Sequence, residues 1–97
     1  MSLKFKVKLE NVKQKLETLG SDIKTEISDL EEQKSKFQQK IDNYFQKETL
    51  TDRQEELQEE YEEKIESIDE KVDNLEEILM SLEDFIELID NYDYGEY

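Results

Sequence analysis

Leu9, Leu16, Ile23, Leu30, Phe37 and Tyr44 recur every seven residues through the first half of the chain. A period of seven is two turns of helix, so these side chains form one stripe along a long helix. Val12 and Leu19 fall at the intervening seam positions early on. Ile27 and Ile41 fill a neighbouring stripe later. The steps Leu19, Ile23, Ile27 are four plus four, a stutter that locally unwinds a coiled coil. Gly20 sits there and lowers helix propensity by about 1 kcal/mol relative to Ala. The apolar phase nevertheless runs through it, which predicts one helix over about 9–48.

A second stripe follows. Ile65, Ile68, Val72, Leu75, Leu79, Leu82, Ile86 and Ile89 alternate steps of three and four, and Leu57 and Tyr61 extend it backwards. It predicts a helix over about 52–92, a turn near 48–52 and a tail over 93–97. Thr51-Asp52-Arg53-Gln54 has the form of a capping box. Asp52, Glu55 and Glu56 then place carboxylates where the helix dipole favours them. A short turn makes neighbouring helices antiparallel. The fold class is therefore all-α: an antiparallel, coiled-coil-like two-helix hairpin in a single domain over 1–97. It completes a four-helix bundle with itself or with a partner.

At the start, Leu3-Lys4-Phe5-Lys6-Val7-Lys8-Leu9 alternates like a strand. It reads as an extended lead-in or a frayed turn, with Asn11 and Gln14 capping the helix proper.

Charge agrees with a hairpin. Residues 1–50 hold ten Lys against nine acids. Residues 51–97 hold one Arg and two Lys against nineteen acids. Folding the chain near residue 50 lays the basic start, Lys4 to Lys15, beside an acidic end that has no base after Lys71. A net charge of -15 disfavours direct binding to nucleic acid or anionic lipid. No apolar run is long enough to span a membrane, and no apolar segment follows the basic start as in a cleavable signal peptide. The expected location is cytoplasmic, or exported without such a signal.

Catalytic chemistry finds little to work with. The chain has no His or Cys, so the commonest base and the thiol nucleophile are missing. Two helices form no dry pocket to shift a carboxyl group. Asp90, Asp93, Gly95 and Glu96 faintly suggest a calcium loop, but Tyr92 and Tyr94 occupy positions where that loop needs oxygens. The expectation is a non-enzyme with no cofactor, no metal and no small-molecule substrate.

The segment 78–89 is richer, with eight apolar residues in twelve. Leu79, Leu82, Ile86 and Ile89 continue the seam, while Ile78, Phe85, Leu88 and Tyr92 form a second stripe beside it. One neighbouring helix cannot cover so wide an arc. Ile78, Leu82, Phe85, Leu88, Ile89 and Tyr92 are therefore the candidate partner-binding residues, for a second copy of the chain or another helical protein. An alternative binding face is the acidic run Glu55, Glu56, Glu59, Glu60, Glu62 and Glu63. Carboxylates there could imitate nucleic-acid phosphates and block a basic site on a host protein, as small inhibitors encoded by phages and mobile elements do. A purely structural, self-assembling coiled coil is the third reading.

Two long helices joined near the midpoint of a chain of this size resemble the small WXG-type proteins of type VII secretion. Phe5-Lys6-Val7, followed by a helix of seven-residue period, resembles their start. Tyr92-Asp93-Tyr94-Gly95-Glu96 reads Tyr-x-x-x-Glu and matches the family's Tyr-x-x-x-Asp/Glu export signal at Tyr92 and Glu96. The family's Trp-x-Gly turn is absent; the turn here reads Glu48-Thr49-Leu50-Thr51-Asp52, and the chain has no Trp. The chain is more similar to the small helical partners of larger secreted toxins, which often lack that turn motif. The resemblance implies a secretion-associated adaptor that completes a helical bundle and displays Tyr92 with Glu96 as a recognition surface.

Overall fold

A computed structural model describes residues 3–46 and 49–92. The fold is an all-α hairpin of two long helices, α1 (Leu3–Phe45) and α2 (Asp52–Asp90), with no strand among the described residues. Contacts divide the chain into two compact units, residues 1–25 with 75–97 and residues 26–74.

α2 starts where its capping box directs. The Gln54 amide donates to Thr51 Oγ1 at 3.2 Å, and the Thr51 amide donates to Gln54 Oε1 at 3.0 Å. Both groups would otherwise be orphan donors of a first turn. α2 ends two residues before the expected Tyr92, with the Asn91 and Tyr92 amides bonded back to Glu87 and Ile89. α1 ends at Phe45; Lys47 and Glu48, and the tail 93–97, lie outside the described residues.

The start of α1 corrects the sequence reading. Leu3 to Leu9 is helical, so Asn11 lies inside the helix and caps nothing. The alternating pattern Leu-Lys-Phe-Lys-Val-Lys-Leu also satisfies a helix, because Phe5 and Leu9 are four apart and share a face. Both line a groove with Phe85, Leu88, Ile89 and Tyr92. Tertiary burial overrides the local alternation.

A second correction concerns which face of α1 meets α2. Val12 and Leu19 were expected in the seam, yet both stand in the open. The column that packs beside the Leu9–Tyr44 stripe is the next one round, at positions 13, 20, 27, 34 and 41. In the unit formed by 1–25 and 75–97, Gly20 is buried and lies against Leu79 and Leu82; a Cβ there would meet their methyl carbons at 3.6 and 3.4 Å. Lys13, in the same column, pairs with Asp90 across the seam. Ile23, Leu82 and Ile89 are the buried apolar side chains of this unit among the described residues.

In the unit 26–74 the column supplies Ile27, Lys34 and Ile41. Ile41 is buried with Leu30, Ile68 and Val72, and Lys34 Nζ lies 2.6 Å from Asp69 Oδ1. Towards the turn, the Tyr61 ring stacks on Phe37 at 5.6 Å and on Tyr44 at 6.4 Å. Lys40 and Lys64 sit over these rings, covering apolar surface with their stems while their ammonium groups face the π clouds.

Two outcomes follow. Gly20→Ala adds only an ordinary van der Waals contact and removes a helix-propensity penalty of about 1 kcal/mol. Its melting temperature should rise by roughly 4–8 °C; a fall would show that the seam at Gly20 is tighter than described. Lys13 and Lys34 are held above the ordinary lysine value of 10.5, chiefly by hydrogen bonds to Asp90 and Asp69. A raised folded-state value stabilises below the unfolded value and is lost as pH climbs through the folded one. Thermal stability should therefore drop above about pH 10.5, and by less in Lys13→Gln/Lys34→Gln. An identical drop in that variant would remove the two pairs as the cause.

Candidate functional site: an apolar face on residues 1–25 and 75–92

Because α1 turns its 13/20 column towards α2, the column Phe5, Val12, Leu19 is left outside the seam. On α2 the stripe Ile78, Phe85, Tyr92 is left outside in the same way. Each set is spaced by sevens, and all six residues are between 42% and 50% exposed. Such uniform half-exposure is what a column beside a seam shows when one side is covered and the other open.

The two columns face the same side. Phe5, Val12 and Leu19 each precede a seam residue, Leu9, Leu16 or Ile23, by four. Ile78 and Phe85 likewise precede Leu82 and Ile89 by four. In antiparallel helices, equal offsets from the seam in the same rotational sense emerge on one face. Accordingly, Phe5, Phe85, Leu88 and Tyr92 line one groove of about 180 Å³ floored by Leu9 and Ile89.

Of the six residues expected to bind a partner, Ile78, Phe85, Leu88 and Tyr92 are exposed on this face, Leu88 most of all at 68%. Leu82 and Ile89 are 7% exposed and belong to the hairpin's own seam. They lie beneath the face and support it. The alternation of three and four that runs through both positions already marks them as seam. Conversely, sequence reasoning missed Val12 and Leu19, which look like seam positions until the 13/20 column is seen to displace them. The seven-residue repeat Phe5, Val12, Leu19 was the signal available.

The rims of this face differ in charge. Along α1, Lys8 and Lys15 follow Phe5 and Val12 by three, on the side away from the seam; Asp22 follows Leu19 in the same way. Along α2, Glu77 and Asp84 precede Ile78 and Phe85 by one, about 100° further round from the seam. None of these five forms an ion pair among the described residues, whereas Lys13 pairs with Asp90 and Lys24 reaches Glu83 at 4.0 Å.

The other candidate sites are less organised. Glu55, Glu56, Glu59, Glu60, Glu62 and Glu63 are all exposed. Glu56 contacts Arg53 at 3.3 Å, and Glu62 accepts from Gln58 at 3.5 Å. Neighbours in sequence point about 100° apart, so the six spread over a wide arc of α2 and form no single line. Tyr92 of the Tyr-x-x-x-Glu motif is placed just past α2 and lines the groove; Glu96 lies outside the described residues. No group of three or more Asp or Glu side chains converges as a metal site, and no helix is long and apolar enough to cross a membrane, among the described residues. Comparison with protein-family models, curated proteins and solved structures finds no match to this chain.

An environment-sensitive dye such as ANS should bind the wild-type protein at this face. The double variant Phe85→Ser/Leu88→Ser should keep its helical circular dichroism and lose most of the dye signal. Unchanged dye binding would place the exposed apolar surface elsewhere.

Proposed function

We propose that this protein is a non-enzymatic, bundle-forming adaptor whose apolar face, on Phe5, Val12, Leu19, Ile78, Phe85 and Tyr92, docks against helices of a protein partner. The observation that carries the reading is that face itself: two heptad-spaced columns, half-exposed, beside a seam that is already complete. A helix that works only in a two-helix pair needs a single narrow stripe. Here each helix carries an additional column, the composition of a bundle member.

The setting we propose is type VII secretion, in which a small helical partner pairs with the helical region of a larger exported protein. This part of the reading rests on the Tyr-x-x-x-Glu spacing of Tyr92 and Glu96 and on the length and midpoint turn of the hairpin. Tyr92 belongs to both features, since it lines the apolar groove and opens the motif. Docking and display for export would then meet at one end of the molecule.

In the native cell, Tyr92→Ala and Glu96→Ala should each abolish export while leaving helical circular dichroism unchanged. Normal export of both variants would remove the secretion role and leave the docking face to be explained otherwise.

A further inference from the structure

The hairpin is also open on the side away from the apolar face. Within residues 1–25 and 75–97, a notch of about 240 Å³ lies beside Gly20. Leu79, Leu82 and Ile86 form its apolar floor, and the exposed Glu17, Lys24 and Glu83 stand around its mouth. We infer that this notch binds a lysine side chain of a basic protein partner, with the methylene stem on the floor and the ammonium between Glu17 and Glu83.

The side follows from helix geometry. Glu17 and Lys24 come one residue after the seam positions Leu16 and Ile23, whereas Val12 and Leu19 come four before Leu16 and Ile23. One step forward is a turn of about 100°, and four steps back are about 40° the other way. The two sets therefore leave the seam in opposite directions. On α2, Glu83 follows Leu82 by one and Ile78 precedes it by four, which divides that helix in the same way.

Glycine keeps the notch open. A Cβ at position 20 would meet Leu82 and Leu79 at 3.4 and 3.6 Å, in ordinary contact with two side chains of the floor. Ala would also recover helix propensity that Gly gives up. The fold therefore does not call for glycine here, and stability alone favours Ala. Stability forgone beside a cavity fits a binding role better than a folding one.

The mouth selects charge. Gly20 lies level with the interval between Leu79 and Leu82. Glu17, three residues earlier on an antiparallel helix, is level with residues 82–85, and so with Glu83. The two carboxylates flank one end of the notch from opposite helices. Neither is closely held. Glu17 lies 3.8 Å from Lys13, whose close partner is Asp90, and Glu83 lies 4.0 Å from Lys24. An apolar floor that ends in two loosely paired carboxylates matches an aliphatic stem with a cationic head. An ammonium group carries three donors on a flexible stem and can address both carboxylates. Lys24 is the internal competitor, because its own ammonium approaches Glu83. The net charge of -15 draws a basic partner in at long range.

n-Butylammonium, which is the lysine side chain alone, serves as the probe for the whole protein, followed by methyl NMR. The Leu79, Leu82 and Ile86 methyl signals should shift saturably, with a Kd in the roughly millimolar range that so few atoms allow. Those of Leu30 and Val72 should stay put. N-acetyl-lysine methylamide should behave like the probe, and butan-1-ol should bind several-fold more weakly. Glu17→Gln/Glu83→Gln should weaken the probe several-fold, and Lys24→Gln should tighten it. Gly20→Ala should weaken it several-fold even though it raises the melting temperature. Phe85→Ser/Leu88→Ser should change nothing, because the apolar face is on the other side. The absence of any saturable shift at about 100 mM probe overturns the site. Equal binding of butan-1-ol, or indifference to the paired Gln variant, overturns the place given to the ammonium. Indifference to Gly20→Ala, or loss of binding in Phe85→Ser/Leu88→Ser, overturns the notch. Binding of n-butylammonium without N-acetyl-lysine methylamide points to a small free amine and overturns the protein partner.

Discussion

The close approach of α2 to Gly20 decides which side of α1 is inside. Leu79 and Leu82 come within ordinary contact of the space a Cβ would fill, so the column containing Gly20 packs and its neighbour does not. Lys13 and Lys34 occupy the same column and reach Asp90 and Asp69 across the seam. Ile27 and Ile41 complete it. Within residues 1–25 and 75–97, rotating α1 to bury Val12 and Leu19 instead would separate Lys13 from Asp90 and move Gly20 away from Leu79 and Leu82. The exposed face is the consequence: with the 13/20 column packed beside the Leu9–Tyr44 stripe, the apolar column Phe5, Val12, Leu19 is left out.

That consequence explains how much of the molecule was legible in advance. The stripes and the turn depend on local periodicity and capping, and these can be counted. Thr51 and Gln54 make the reciprocal bonds their spacing suggests. Ile68, Val72, Leu82 and Ile89 are buried, as alternating steps of three and four require. The assignment of faces on α1 depends on tertiary packing, because a Gly and two Lys residues do not register as a seam in a hydrophobic pattern. Val12 and Leu19 were misplaced for that reason. The first turns of α1 were hidden for another. An alternating lysine sequence is ambiguous between strand and helix until something is available for Phe5 and Leu9 to pack on.

Charge does a different job at each level. Across the hairpin it is arranged in pairs, a basic early α1 against an acidic late α2, and such exposed pairs favour a register more than they add stability. Around the apolar face, the α1 side carries Lys8, Lys15 and Asp22 and the α2 side Glu77 and Asp84. The acidic segment near the turn fits neither role. Its carboxylates point over a wide arc, as on a helix whose outer surface is simply solvated.

α1 keeps Val12 and Leu19 outside the hairpin, on the side where the α2 stripe Ile78, Phe85 and Tyr92 is also exposed. The chain contains no Cys, so single cysteines report on each position without interference. The most direct measurement is the thiol-alkylation rate of Val12→Cys, Leu16→Cys, Leu19→Cys and Ile23→Cys in dilute protein. Positions 12 and 19 should react at close to the rate of a free thiol, with 16 and 23 much slower. Slow reaction at 12 and 19, alongside fast reaction of Ile27→Cys or Ile41→Cys, would show that the seam uses the other column and that no such face exists.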